Sequence, residues 1–292
     1  MGSSQSQTKK QQSSPELQTP WRLFDWRQNE ALRKWLENFT LSVPNVKDIK
    51  ILVVGPSGAG KSSFINSINS VFQRRISSKA LVNSAEGGNS NRFTQKLKGF
   101  TIKNGKTSLP FVFYDIMGLE YEEFHGSKTD DIIKAVFGHV KDGYKFNEEQ
   151  SIDYKDLHYT RDPSLSDQCF CVVYVLDGNI VQYTDGRLIK KMNVIRKSIS
   201  DKGIAQVVVM TKVDEACPLV KKDLRKVYTS KKIKEKMELC SANTGVPMSN
   251  IFPVKNYHDE IDTNDNVDVL ILKALEQIVY NANDRLEDNE TY

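Results

Sequence analysis

Eight residues constrain this chain more than any others. Gly55, Pro56, Ser57, Gly58, Ala59, Gly60, Lys61 and Ser62 spell G-x-x-x-x-G-K-S. They follow a continuous apolar run at 49–54 and precede a stretch with helical spacing at 61–72. An apolar run without alternation suits a strand covered on both faces, as in parallel sheets. A glycine-rich turn between such a strand and a helix turns successive backbone N–H groups inward, and the positive end of the helix dipole adds to them. The result is a cradle for phosphate. Gly55, Ser57, Gly58, Ala59, Gly60, Lys61, Ser62 and Ser63 are the expected contacts. The Lys61 ammonium should reach the β- and γ-phosphates, and the Ser62 hydroxyl should ligate magnesium.

The remaining pattern alternates strand and helix. Strands are expected at 95–103 and 109–114, joined through Asn104-Gly105, a strong hairpin signal, and at 169–176, 205–210 and 251–254. Helices are expected at 130–140, 185–200, 228–240 and 267–286. This alternation predicts an α/β fold with a doubly wound, mostly parallel sheet. Residues 120–167 exceed what a minimal nucleotide-switch domain needs and read as a large insertion after the third strand. Residues 1–19 hold almost nothing apolar and are expected to be a disordered tail. Residues 20–45 form a helical segment carrying Trp21, Phe24, Trp26, Leu32, Trp35, Leu36 and Phe39, and the P-loop domain occupies 46–288.

Composition narrows the function classes. Against 41 basic side chains stand 37 acidic ones, a net charge of +4, too mild for nucleic acid to be a main partner. No apolar run reaches the roughly 18 residues that span a bilayer, and the polar N-terminus is no secretory leader. Cys169, Cys171, Cys217 and Cys240 lack C-x2-C pairs and read as free, buried thiols of a reducing cytosol.

Two further elements complete a nucleotide site. Asp115-Ile116-Met117-Gly118 ends the third strand. There Asp115 can hold magnesium through water, and the Gly118 N–H can meet a γ-phosphate. A further magnesium ligand is expected on a polar, glycine-rich loop, at Thr94, with Ser84 and Ser90 as alternatives. The strand at 205–210 runs into Thr211-Lys212-Val213-Asp214. A carboxylate there accepts two hydrogen bonds, from guanine N1–H and its exocyclic amine, a donor pair adenine lacks. The Lys212 stem can lie over the base. Ser241-Ala242-Asn243 imitates a last guanine contact but follows a helix. Lys255 and Asn256 follow a strand and are the expected contacts. GTP or GDP with magnesium is therefore the expected ligand, with an ATP-binding protein as the weaker alternative.

Hydrolysis is a separate matter. Leu119 occupies the position after D-x-x-G where a water-orienting amide would stand, so turnover is expected to be slow. Arg74, Arg75 and Arg92 are candidate transition-state cations, in cis or across a self-associated pair. The alternative is a GTP-dependent scaffold for protein partners without meaningful catalysis. Met1-Gly2-Ser3-Ser4-Gln5-Ser6 fits N-myristoylation at Gly2, the one route to a membrane, with weak help from Lys9 and Lys10.

Residues 55–67, 115–120, 138–146 and 254–257, with Pro20-Trp21-Arg22, resemble the interferon-induced protein 44 family of GTP-binding proteins. The resemblance runs over roughly residues 20–285 and includes part of the insertion. It implies a cytoplasmic, interferon-responsive protein of antiviral or antiproliferative defence. It also carries the family's GTP-binding P-loop onto Gly55, Gly60, Lys61 and Ser62. The guanine assignment at Thr211, Lys212 and Asp214 comes from residue chemistry instead.

Overall fold

A computed structural model describes residues 14–44, 46–80, 96–116, 118–120, 127–147 and 149–290, with backbone alone at 289 and 290. Its centre is a six-stranded sheet in the order β2-β3-β1-β4-β5-β6. The strands are β1 (Ile49–Val54), β2 (Lys98–Asn104), β3 (Thr107–Asp115), β4 (Cys171–Asp177), β5 (Ala205–Thr211) and β6 (Ile251–Pro253). All neighbours run parallel except the β2–β3 hairpin. Every residue of β4 is buried, as its unbroken apolar run requires. β2 is the exposed edge, and its register shifts between Thr101 and Lys103. The hairpin turn sits one residue later than the sequence suggests. Asn104 pairs with Thr107, and Gly105 takes the left-handed conformation at φ +58°.

The helices are α1 (Asn29–Glu37), α2 (Lys61–Gln73), α3 (Thr129–Val136), α4 (Gly186–Ser200), α5 (Val213–Ala216), α6 (Pro218–Lys222), α7 (Lys231–Thr244) and α8 (Asp265–Glu290). α1, α2 and α8 form one layer, and α3, α4 and α7 the other. The helix after β1 and the helix after β4 therefore leave toward opposite faces. The adjacent strand ends β1 and β4 form the topological switch point, where open α/β sheets bind ligands. The doubly wound, mostly parallel sheet expected from the alternation is the fold observed.

α1 docks through Leu32 (4% exposed) and Leu36 (0%), each worth about 2 kcal/mol when buried. Trp35 stacks on Tyr280 of α8 with ring centroids 4.3 Å apart. Trp21, Phe24 and Trp26 lie on the non-helical chain before α1 and gather around Tyr228. One expectation fails here. Residues 14–19 belong to the predicted disordered tail, yet they are laced to the domain. Leu17 N donates to Thr229 O at 2.8 Å, Lys231 N to Pro15 O at 3.1 Å, and Glu16 pairs with Lys226 at 2.6 Å. Composition counts apolar side chains, but this segment is fixed by backbone partners that the turn before α7 leaves open. Residues 1–13, including the Gly2 candidate, lie outside the described residues.

The described part of the insertion packs into the same core. Tyr144, Phe146 and Ile152 are buried with the sheet residues, and Cys169 N donates to Val136 O at 2.8 Å. α3 stops before the expected residue 140 because Gly138 turns left-handed, at φ +83°. The four cysteines are free and buried. Burial pushes the Cys169 and Cys240 thiols up to about 12. No helix among the described residues is long and apolar enough to cross a membrane.

Candidate functional site

The loop between β1 and α2 has the conformation its glycines predict. Gly58 and Gly60 are left-handed, at φ +74° and +94°, and Gly60 leads directly into α2. Lys61 is folded back over the loop and is only 7% exposed. Its ammonium donates to Gly55 O at 3.1 Å and Pro56 O at 3.0 Å. Burial holds that ammonium below the ordinary lysine value, and the negative charges of Asp115 and Glu120 oppose the shift. The Ser62 hydroxyl donates to Asp115 Oδ2 at 2.5 Å. Two of the three expected magnesium ligands therefore converge from different elements. Two hard oxygen donors beside a phosphate cradle fit magnesium, which takes few protein ligands and completes its shell with phosphate and water. Thr94, Ser84 and Ser90 lie outside the described residues.

The segment after β3 closes on the P-loop. Leu119 N donates to Gly55 O at 3.0 Å. A Cβ on Gly118 would lie 2.4 Å from Ser57 Oγ and 2.6 Å from Ser57 N. Gly118→Ala must therefore push the two segments apart. The expected result is a lower melting temperature and roughly 5- to 100-fold weaker nucleotide binding, from about 1–3 kcal/mol of overpacking. Gly186→Ala is the control, since no atom lies within 4 Å of its Cβ and its backbone is not left-handed. Equal behaviour of the two variants in thermal unfolding and nucleotide titration would refute this contact. Leu119 itself is 1% exposed and belongs to the core. A cavity of about 390 Å³ opens beside Pro56, Ser57 and Ala59, walled by Leu119, Asp177 and Leu188.

The base-side residues come from the ends of β5 and β6. Thr211 is fully buried, and its hydroxyl donates to Ala59 O at 2.6 Å. It ties the T-K-V-D element to the P-loop, a task that its assignment as a guanine contact did not foresee. Lys212 adopts φ +55°, unusual for a residue with a side chain, and its ammonium meets Asp177 Oδ2 at 2.8 Å. Asp214 lies in α5, half-buried. Among the described residues no hydrogen bond or ion pair occupies its carboxylate. Lys255 pairs with Glu260, and Asn256 Nδ2 donates to Gly60 O at 3.1 Å. Ser241 is inside α7 with its hydroxyl on Val246 O, so it is no loop contact.

Two arginines fall away from the site. Arg74 and Arg75 follow the 13-residue α2, about 20 Å of helix from Lys61, and Arg74 pairs with Glu30. Neither can reach the phosphates of its own chain. Arg92 lies outside the described residues. Sequence reasoning missed Asp177, whose carboxylate holds both Lys212 and the Asn179 N–H. Its signal was an acid closing a fully buried strand beside the P-loop.

Comparison with known proteins gives the chain its family. Human interferon-induced protein 44 is 37% identical over 245 residues, which is 83% of this chain and 54% of the human protein. The chain belongs to the interferon-induced protein 44 family. The mouse protein of that name is 36% identical over 83% of this chain and 57% of its own length. Human interferon-induced protein 44-like is 35% identical over 83% of this chain and 53% of its own. The chain thus spans about half the length of these curated relatives. No family model matches it. Solved structures similar to it include a GTP-binding protein from Sulfolobus solfataricus in complex with GDP, at 13% identity, covering 82% of this chain and 53% of that one, with a TM-score of 0.38. Elongation factor SelB from Methanococcus maripaludis follows at 11% identity, covering 83% and 34%, with a TM-score of 0.39. Values this low carry no information about what the chain binds.

Proposed function

We propose that this chain binds GTP and GDP with magnesium and turns GTP over slowly. The Thr211–Ala59 hydrogen bond carries the reading, because it locks the base-side strand to the phosphate loop at the sheet's switch point. The loop N–H groups and the α2 N-terminus receive the phosphates. Lys61 leaves Gly55 O and Pro56 O for phosphate oxygens. Ser62 and Asp115 would hold the magnesium ion, and it would supply charge neutralisation to the phosphate oxygens. The Asp214 carboxylate takes the guanine N1–H and amine, with the Lys212 stem over the ring and Lys255 beside it.

Leu119 supports the slow turnover. It offers no hydrogen bond to an attacking water, and its backbone is fastened to Gly55. Equilibrium titration with labelled GTP against GDP and ATP tests the binding, and turnover measured at rising protein concentration tests the catalysis. GDP should displace the label, and a large excess of ATP should not. Displacement by equimolar ATP would favour the ATP reading instead. Turnover per molecule that climbs with concentration supports an enzyme activated by self-association. Flat, near-zero turnover leaves a GTP-dependent binding module for protein partners.

The relatives' name extends the proposal to an interferon-induced protein, and the sequence resemblance extends it to a cytoplasmic protein of antiviral defence. A transcript that does not rise in interferon-treated cells would contradict it. Acylation of Gly2 is the accompanying proposal for membrane contact, and intact mass decides it.

A further inference from the structure

We propose that Asn256 is a positioning residue of the phosphate site and not a contact of the base. The inference rests on the nucleotide-binding reading above and assigns a role within that site. The Gly60 carbonyl receives two hydrogen bonds, from Phe64 N at 2.8 Å and from Asn256 Nδ2 at 3.1 Å. The first is the opening turn of α2. The second arrives from 196 residues away. A peptide is planar, and its C=O and N–H point in opposite directions. Fixing the Gly60 oxygen toward Asn256 therefore aims the N–H of Lys61, in the same peptide, away from Asn256 and into the cradle. That N–H is a donor at the helix N-terminus, where a β-phosphate is received.

The surroundings of Asn256 suit this task. A Cβ on Gly60 would lie 2.9 Å from Asn256 Nδ2 and 3.5 Å from Thr211 Oγ1, so the two side chains form a wall behind a glycine at φ +94°. Gly60 cannot retreat when a phosphate presses on it. Asn256 Oδ1 is buried and meets no donor among the described residues. An amide that keeps its nitrogen on Gly60 while its oxygen goes unmatched is held there by more than its own hydrogen-bonding needs. The next residue does the holding. Tyr257 N donates to Ser67 Oγ of α2 at 2.9 Å. The Tyr257 hydroxyl donates to Asp268 Oδ1 at 2.6 Å and accepts from Asn264 N at 2.7 Å. Asp268 in turn meets Arg33 of α1 at 3.3 Å. Tyr257, Asp268 and Arg33 are all buried. The loop after β6 is thereby pinned at the residue next to Asn256, and α1 braces it.

The test measures dissociation constants of GDP, GMP and IDP, with magnesium, for the full chain and for Asn256→Ala. Asn256→Asp, nearly the same shape, sets an acceptor against the Gly60 oxygen and guards against a misfolded alanine variant. Both variants should lose about tenfold of the GDP-over-GMP advantage, the worth of one hydrogen bond to a charged group. The preference for GDP over IDP, which reads the contact to the exocyclic amine, should stay as it is. An unchanged GDP-over-GMP advantage, with or without a general loss of affinity, overturns the proposal. A collapse of the GDP-over-IDP preference also overturns it, and makes Asn256 a base contact. If the unaltered chain holds no GDP, the parent reading fails and this one with it.

Discussion

Lys61→Ala should leave a folded protein that no longer retains GTP or GDP. Among the described residues, the ammonium is the one side-chain cation placed within the phosphate loop, on the carbonyls of Gly55 and Pro56. Each hydrogen bond to a charged phosphate is worth about 1.5–3 kcal/mol, so losing contacts to two phosphates costs roughly 10²- to 10⁴-fold in affinity. The fold should survive, because alanine removes a buried charge that the empty loop must desolvate. Circular dichroism and thermal unfolding check the fold, and nucleotide titration checks the site. Tight binding by this variant would remove Lys61 from the phosphate site. A pH dependence follows with a definite sign. Burial depresses the Lys61 ammonium in the free protein, whereas phosphate favours its charged form. Binding must therefore take up a proton once pH exceeds the depressed value, and affinity falls as pH rises through it.

The second large effect is expected at Asp214→Asn. The carboxylate presents two acceptors, whereas the amide presents one acceptor and one donor. Guanine's N1–H and amine then meet a mismatched partner, and GTP affinity should fall by roughly 10²-fold or more. Xanthine carries a carbonyl where guanine has the amine, so the amide suits it. The variant should therefore bind xanthosine triphosphate better than GTP, reversing the order in the unaltered chain. Competition between the two nucleotides measures the reversal. An unaltered order of preference in the variant would place the base elsewhere. The gap between GTP and ATP should narrow in the same variant.

The phosphate half was legible because its information is local. Eight consecutive residues after an apolar run specify turn, helix and donors at once, and the loop takes the left-handed glycines they call for. Strand identities were equally plain, since residues 51–54 of β1, 171–176 of β4 and 207–210 of β5 are uninterrupted apolar runs. What could not be read was long-range. Thr211 looks like a base residue in its own neighbourhood, yet its hydroxyl is used 152 residues away on Ala59. Asp177 has no motif around it and gains a role only where β4 ends beside β5. Residues 14–19 look like tail because their attachment is made by backbone groups and Glu16, which no hydropathy count registers. The arginines after α2 fail as phosphate ligands for a simple geometric reason, the length of the helix that separates them from the loop.

The two outer strands also bear on how copies of this chain can meet. β6 is three residues long and ends in Pro253, which has no N–H to offer a neighbour. β2 carries Lys98 and Lys103 at the other margin and is kinked by its register shift. Both rims of the sheet are thus unsuited to accept an extra strand, and this chain is guarded against open-ended, fibre-like growth by sheet extension. A pairing that quickens GTP turnover would have to be closed and self-limiting, formed through side chains around the nucleotide cleft or the helical layers.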